Sequence, residues 1–440
     1  MKLSNCHTEA LGFAIGKCQS CGQEEFLGFL GCHDKNCPTC SGNRRYKETI
    51  KMCENIFRAP YFSYVFTLPH ELNEIFEIEN ENWHRKALDI FMDSVSYILM
   101  YYSKNIECQG VNNQSKILGE TDIVTFLHTW DQELKKHIHV HAIISSIGYS
   151  IKDQKINEVQ KNKNEKMFLF SNVKISRDFR DLFLERLEKE LIKSNTNEDF
   201  KNRSFSIINQ MKEKDFNVFA EEPVSGNEYA VIYLMQYMNR IGMSPFRIRK
   251  IKDSHVYLRR KRPPSDYQGN KEEYDFDALE NCFYLSLDEF LNRYSSHILP
   301  KKFKTMRRCG LYNYYREKLK SDKPLNIDEK YLPKELDEDK KREIREIMIK
   351  NSQGVKEQKQ EQSYKTNFKT NICRQCGKEN DFKIYIFDRL GNYKGKEIVP
   401  ESVIFKSKIL IHLQNDIFKK NIHHRSIRSL IKKVEKKDDS

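Results

Sequence analysis

No stretch of the 440-residue chain approaches the roughly 20 consecutive apolar residues of a membrane-spanning helix, and the short LGFAIG run near the N-terminus lacks the layout of a signal peptide. No membrane partner is expected, and the chain reads as a cytoplasmic protein. A GxxxxGK[ST] loop is also missing, which excludes a P-loop nucleotide site, and there is no internal repeat. Regular βαβ alternation is absent too, which argues against a doubly wound parallel sheet. Carboxylates are in deficit: 63 Asp and Glu face 76 Lys and Arg, a formal net charge of +13. Such an excess favours a polyanionic partner, although charge alone does not separate nucleic acid from anionic lipid. Hydrophobic residues make up 38% of the chain, low but sufficient for a core in two or three domains.

Cysteine, by contrast, is plentiful and unevenly placed. Of the 12 cysteines half fall in the first 40 residues, at spacings that suit metal ligation better than a disulfide framework. Cys18-x2-Cys21 and Cys37-x2-Cys40 are two knuckles that could close a tetrahedron around one zinc ion. Cys6, Cys32, His7 and His33 remain as additional ligands, enough for an altered set or a second ion. Near the other end Cys373-x2-Cys376 has no evident second pair, so unmetallated thiols and a second zinc knuckle stand about equal.

The stretch HIHVHAII, His137 to Ile144, alternates imidazoles with apolar residues. On a strand His137, His139 and His141 share one face while Ile138, Val140, Ala142 and Ile144 share the other. Four residues of strand span about 13 Å, so all three histidines can hardly hold one ion. His139 and His141, bordering the apolar run, are the preferred pair for a catalytic divalent cation, Mg2+ or Mn2+, with a partly exposed polar strand face as the alternative. DIVTFLHTW (Asp122 to Trp130) precedes them as a strand, joined by DQELKK, and YFSYVFTLP (Tyr61 to Pro69) is a further strand. WHRKALDIFMDSVSYILMYYSK and SRDFRDLFLERLEKELIKS read as helices, giving an α+β layout of helices on an antiparallel sheet.

In EYAVIYLMQYMNR, Tyr229, Tyr233 and Tyr237 recur every fourth residue, with Gln236 beside them. A core stripe is the ordinary reading of such spacing; against it, buried tyrosine hydroxyls need polar partners, and RIRKIKDSHVYLRRKRPP follows directly. Within that basic stretch Arg247, Arg249, Lys250, Arg259 and Arg260 are candidates for phosphate contacts, and HVYLRR reads as a strand. A metal-binding histidine pair, a tyrosine helix, zinc knuckles and excess positive charge together suit attack of a tyrosine hydroxyl on a DNA phosphodiester.

The ordered set CHT-x2-LG, Cys-x2-Cys-Gly, GC-x4-CP-x-C, VFTLP, LHTW-x-Q-x-L, H-x-H-x-H, YL-x2-Y-x-x-R and GLY, from about Cys6 to Tyr312, resembles the two-tyrosine HUH-class rolling-circle transposases of bacterial insertion sequences, which carry an N-terminal transposase zinc-binding domain. The chain departs from that family at Asp131 and Ile138, where glycine and proline are usual, and has a reduced glycine-rich exit, SSIGYS. The resemblance implies an α+β HUH palm in which VFTLP neighbours the histidine strand, with Tyr233 and Tyr237 as nucleophiles and Tyr229 a bystander. For the third metal ligand it offers Gln236 or Gln132. Single-stranded DNA at element ends and target is the implied partner, with a host helicase as accessory, in a bacterial, nucleoid-associated setting. The domains expected are a zinc-binding, DNA-contacting module over 1–45, a catalytic domain over 46–318, and a charged linker with basic extension over 319–440. A replication initiator or relaxase with the same nicking chemistry, and a non-enzymatic zinc DNA-binding protein, are the alternatives.

Overall fold

The computed structural model describes residues 5–353 apart from short stretches and the longer spans 161–168 and 225–246, and beyond them residues 375–376, 382–387 and 393–396. In chain order the strands are β1 (Phe13–Cys18), β2 (Glu24–Phe29), β3 (Tyr61–Thr67), β4 (Glu120–Trp130), β5 (Lys136–Ser150), β6 (Lys155–Glu158), β7 (Asn217–Val224), β8 (Ile248–Lys252), β9 (His255–Leu258), β10 (Phe283–Ser286), β11 (Met306–Gly310), β12 (Phe382–Phe387) and β13 (Tyr393–Lys396). The helices are α1 (Ser41–Cys53), α2 (Glu81–Asn105), α3 (Asn172–Lys193), α4 (Glu198–Met211), α5 (Leu287–Ser296), α6 (Leu311–Lys318) and α7 (Glu338–Gln353). Two compact units result, one of residues 48–243 and 247–348, the other of 1–47, 244–246 and 349–440.

The larger unit is α+β, as expected. Its antiparallel sheet runs β11-β4-β5-β3-β7, with β6 on the far end of β5. Period-two alternation sends Ile138, Val140, Ala142 and Ile144 of β5 into one core with Phe62, Tyr64 and Phe66 of β3, and α2, α3 and α4 cover that face. Aromatic rings fill the space between helices and sheet: Phe66 meets Phe179 edge-on at 4.9 Å, and Phe91 meets Phe183 at 5.6 Å. α4, which the sequence pattern did not single out, starts where the Asn197 side chain accepts the Phe200 amide at 2.7 Å. A smaller sheet, β10-β9-β8, carries its own cluster of Val256, Leu258, Phe283 and Phe290, into which Leu134 inserts.

The face opposite the helices holds polar groups, and they are paired. Asp122 is fully buried; its carboxylate accepts from Arg308 Nε at 2.7 Å and Nη2 at 2.5 Å and from the Tyr61 hydroxyl at 2.8 Å. Arg308 also stacks 3.4 Å over the Tyr312 ring and donates to the Asn55 carbonyl. Two residues on, Gly310 has φ of +79°, and a Cβ there would stand 1.9 Å from the Thr121 carbonyl oxygen. Glycine is needed where β11 leaves β4, which accounts for the GLY motif.

In the smaller unit the sheet order is β13-β12-β1-β2, with β1 antiparallel to both neighbours. The sequence reading drew boundaries at residues 45 and 318. The structure instead places 319–348, with most of α7, in the larger unit and β12 and β13 beside the N-terminal strands. Among the described residues no helix is long and apolar enough to cross a membrane.

Arg308→Met leaves Asp122 buried without its partner, and breaking such a pair costs about 3–5 kcal/mol. Chemical denaturation should register a loss of that size; a change under about 1 kcal/mol would show that the pair does not hold β11 to β4.

Candidate functional site

The site begins with the turn between β4 and β5. Asp131, at the position where glycine is usual in the resembling family, accepts the backbone N–H groups of Glu133 at 2.7 Å and Lys135 at 2.8 Å through Oδ1. This Asx-type turn closes with Asp131 N–H on the Lys135 carbonyl and leaves Leu134 at φ of +60°, its side chain buried. Basic side chains grip the turn from outside. Arg247 donates to the Gln132 carbonyl, Arg293 to the Glu133 carbonyl at 3.0 Å, and Arg260 to the Glu133 carboxylate at 2.8 Å. His297 bridges Thr129 Oγ1 and the Leu134 carbonyl.

With the turn fixed, the register follows: His128 of β4 stands directly across from His139 of β5, and Phe126 across from His141. Ligand nitrogens of His128, His139 and His141 all lie within 4.8 Å of one another. Ring centroids are 5.2 Å apart for His128 and His139, 4.8 Å for His128 and His141, and 4.9 Å for His139 and His141. Nδ1 of His139 lies 2.9 Å from the His137 carbonyl oxygen, so an N–H donated there puts the ring's lone pair on Nε2. Burial, aided by His139, holds His141 down to about 3. It is therefore neutral throughout the physiological range, the form that binds a metal.

His139 and His141, singled out from the sequence, are thus brought together, and His128 is the third member. Sequence reading missed His128 as a ligand even though LHTW stood out as a motif. Its signal was register: two facing strands, each with a histidine near the turn. Gln132, one proposed third ligand, sits in the turn itself, its Oε1 buried without a hydrogen-bond partner. Gln236, Tyr229, Tyr233 and Tyr237 lie outside the described residues. His137 packs on His139 and on His70, at 4.9 and 5.6 Å. A set of three imidazoles fits a divalent transition ion, and its all-nitrogen character shifts preference from Mg2+ toward Mn2+ and softer ions.

The basic stretch divides in two. Arg247 is 7% exposed, hydrogen-bonded to the Arg259 carbonyl as well as to Gln132, and burial lowers it to about 10. It is a structural clamp on the hairpin, which corrects its assignment as a phosphate contact. Arg260 is committed to Glu133, and Arg259 and Arg260 stack near Phe276 and Phe283. Arg249 and Lys250 of β8 are exposed.

In the N-terminal unit Cys6, Cys32, Cys37 and Cys40 form one group, with sulfurs of Cys6 and Cys40, and of Cys6 and Cys37, 3.4 Å apart. Tetrahedral zinc with Zn–S near 2.3 Å sets sulfurs about 3.8 Å apart, so the group fits a structural zinc ion. Hydrogen bonds from Cys37 and Cys6 drive the Cys40 thiol far down, while Cys6 is raised by the same contacts and Cys37 is pushed up to about 12 by its bond to Cys40. Protons shared among clustered thiols are what a divalent cation displaces. His7 lies 3.8 Å from Cys40 Sγ through Nε2 and 3.1 Å from the Phe29 carbonyl oxygen through Nδ1, a support for the sulfur. His33 is exposed. Cys18 and Cys21 are not in this group: the tetrahedron expected from the two knuckles is replaced by Cys37 and Cys40 closing with Cys6 and Cys32, which hydrogen-bond through the Cys32 amide.

His128→Ala should weaken Mn2+ binding as much as His139→Ala or His141→Ala, by about 100-fold or more by calorimetry, with His137→Ala close to the parent. Unchanged affinity in His128→Ala would remove it from the site.

Residues 122–320 match the family described as "Putative transposase", a span that includes β4, β5 and all three clustered histidines, and residues 1–68 match the "Transposase zinc-binding domain". A "Putative transposase y4qJ" of Sinorhizobium fredii is 28% identical over 327 residues, 71% of this chain and 73% of that protein. Among solved structures, the non-structural protein 1 N-terminal origin-recognition/nickase domain of human bocavirus aligns at a TM-score of 0.22 and 11% identity, over 39% of this chain and 73% of that one. The histidine sheet thus falls largely in a span similar to a family of putative transposases, and the four-cysteine group in a span similar to a transposase zinc-binding domain.

Proposed function

We propose that the protein nicks one DNA strand and transfers it through a 5′-phosphotyrosine, with Tyr233 and Tyr237 as nucleophiles beside His128, His139 and His141, as in rolling-circle transposition. The observation that carries this reading is the convergence of three imidazoles on one face of the sheet in a chain related to transposases. A divalent cation held by these rings supplies polarisation of the phosphodiester oxygens and stabilises charge that builds up on them. The tyrosine oxygen attacks phosphorus, the P–O3′ bond breaks, and the leaving 3′ oxygen takes up a proton. The phosphotyrosine keeps the bond energy, so attack by the 3′-hydroxyl of another strand rejoins DNA without ATP.

One further feature supports the reading. Exposed Arg249 and Lys250 supply positive charge for a phosphate backbone, which single-stranded DNA presents together with bases free to stack. A soluble compartment with access to DNA, in a bacterial nucleoid and with a host helicase to expose the strand, completes the proposal.

The test is cleavage of an end-labelled single strand carrying an element end, with Mn2+ and with chelator. The parent should form a covalent adduct only with metal. Tyr233→Phe and Tyr237→Phe should each retain some nicking and lose strand transfer, and the double variant should form no adduct. An adduct mapped to Tyr229, or cleavage without any protein–DNA adduct, would overturn the assignment.

A further inference from the structure

The cysteines left over by the first zinc group are not scattered. Cys18 and Cys21 come together with Cys376, their sulfurs all within 4.8 Å, and Cys18 Sγ stands 3.9 Å from Cys376 Sγ. That separation is close to the roughly 3.8 Å between two thiolates on one tetrahedral zinc ion and far from the roughly 2.05 Å of a disulfide. We infer that Cys18, Cys21 and Cys376 hold a second structural zinc ion, which fastens the C-terminal part of the chain to its N-terminal strands.

Three independent features converge on this site. Cys18 ends β1, and the chain turns back at once: the Gly22 amide donates to the Cys18 carbonyl at 2.9 Å, the Cys18 amide to the Gln23 carbonyl at 2.8 Å, and Gly22 has φ of +70°. A tight turn of this kind aims two sulfurs three residues apart at a common point, and glycine after the second cysteine allows the reversal. Next, β12 pairs antiparallel with β1 in a register that sets Phe382 against Cys18 and Phe387 against Phe13. The start of β12 is thereby at the knuckle end of β1, and Cys376 precedes it by six residues of sequence. Finally, CQSCG at 18–22 recurs as CRQCG at 373–377. Two knuckles of one pattern, one at the end of β1 and one ahead of the antiparallel β12 in sequence, are how ribbon-type zinc sites are built.

Cys18 is 1% exposed, in a unit whose sheet is narrow. A metal supplies cross-linking where a small core supplies little.

Zinc is counted by mass spectrometry on the full-length chain in a His139→Ala background, which removes the histidine site from the count. Two ions per chain are expected, one after Cys376→Ser, one after Cys37→Ser and none after both. A single ion in the starting protein, or two retained in Cys376→Ser, would overturn the inference. Alkylation mapping of the unsubstituted, zinc-loaded chain tests the site without relying on any variant to fold. Cys18, Cys21 and Cys376 should resist modification until chelator is added; rapid alkylation of Cys376 with zinc bound, or recovery of a Cys18–Cys376 disulfide from reduced preparations, would refute it.

Discussion

The pairing register of β4 and β5 is the constraint on which the histidine centre depends. Slipping one strand by a single residue would send His128 to the helix-covered face and seat Leu127 or Thr129 opposite His139. Both faces of this hairpin are buried for most of its length, so such a slip would also push apolar side chains among the imidazoles and imidazoles into the core. The turn enforces the correct choice. Asp131 satisfies two backbone amides that a longer loop would leave to water, Leu134 plugs into the cluster beneath β8–β10, and three arginines hold the turn's oxygens. What reads in the sequence as a nucleic-acid-binding run is in part the brace of the histidine cluster.

The two units solve stability differently. The larger one buries aromatic side chains between three helices and a sheet and pairs the charge it buries, as at Asp122 and Arg308. In the smaller one a sheet of short strands meets clusters of thiols. Small modules of this kind draw their folding free energy from metal, so chelation and heating should act on the two units through different terms.

Much of the larger unit was legible. Alternation in HIHVHAII revealed both the strand and its two faces, and long amphipathic stretches marked α2 and α3. His128 was harder, because a lone histidine in LHTW carries no signal until the strand it pairs with is known. Arg247 misled for the opposite reason: composition counts a guanidinium as surface charge, whereas only the fold shows that it is buried against a hairpin carbonyl. The cysteine pairing failed on distance along the chain. Local spacing favoured joining Cys18–Cys21 to Cys37–Cys40, and only the recurring Cys-x2-Cys-Gly pattern points from Cys18 to a residue 358 positions later, the difference between 376 and 18.

That separation also sets the order in which the protein can form. Cys18 of β1 is made 364 residues (382 minus 18) before its partner Phe382 of β12, so one edge of β1 has no strand to pair with until the histidine sheet has been synthesised. At synthesis rates of roughly 5–20 residues per second the wait is on the order of 20–70 s, far longer than hairpin formation takes. During that interval the edge of β1 is open to other strands. A chain cut short before Phe382 never covers it. The sheet of the smaller unit is therefore finished only in molecules whose synthesis has run past the histidine sheet.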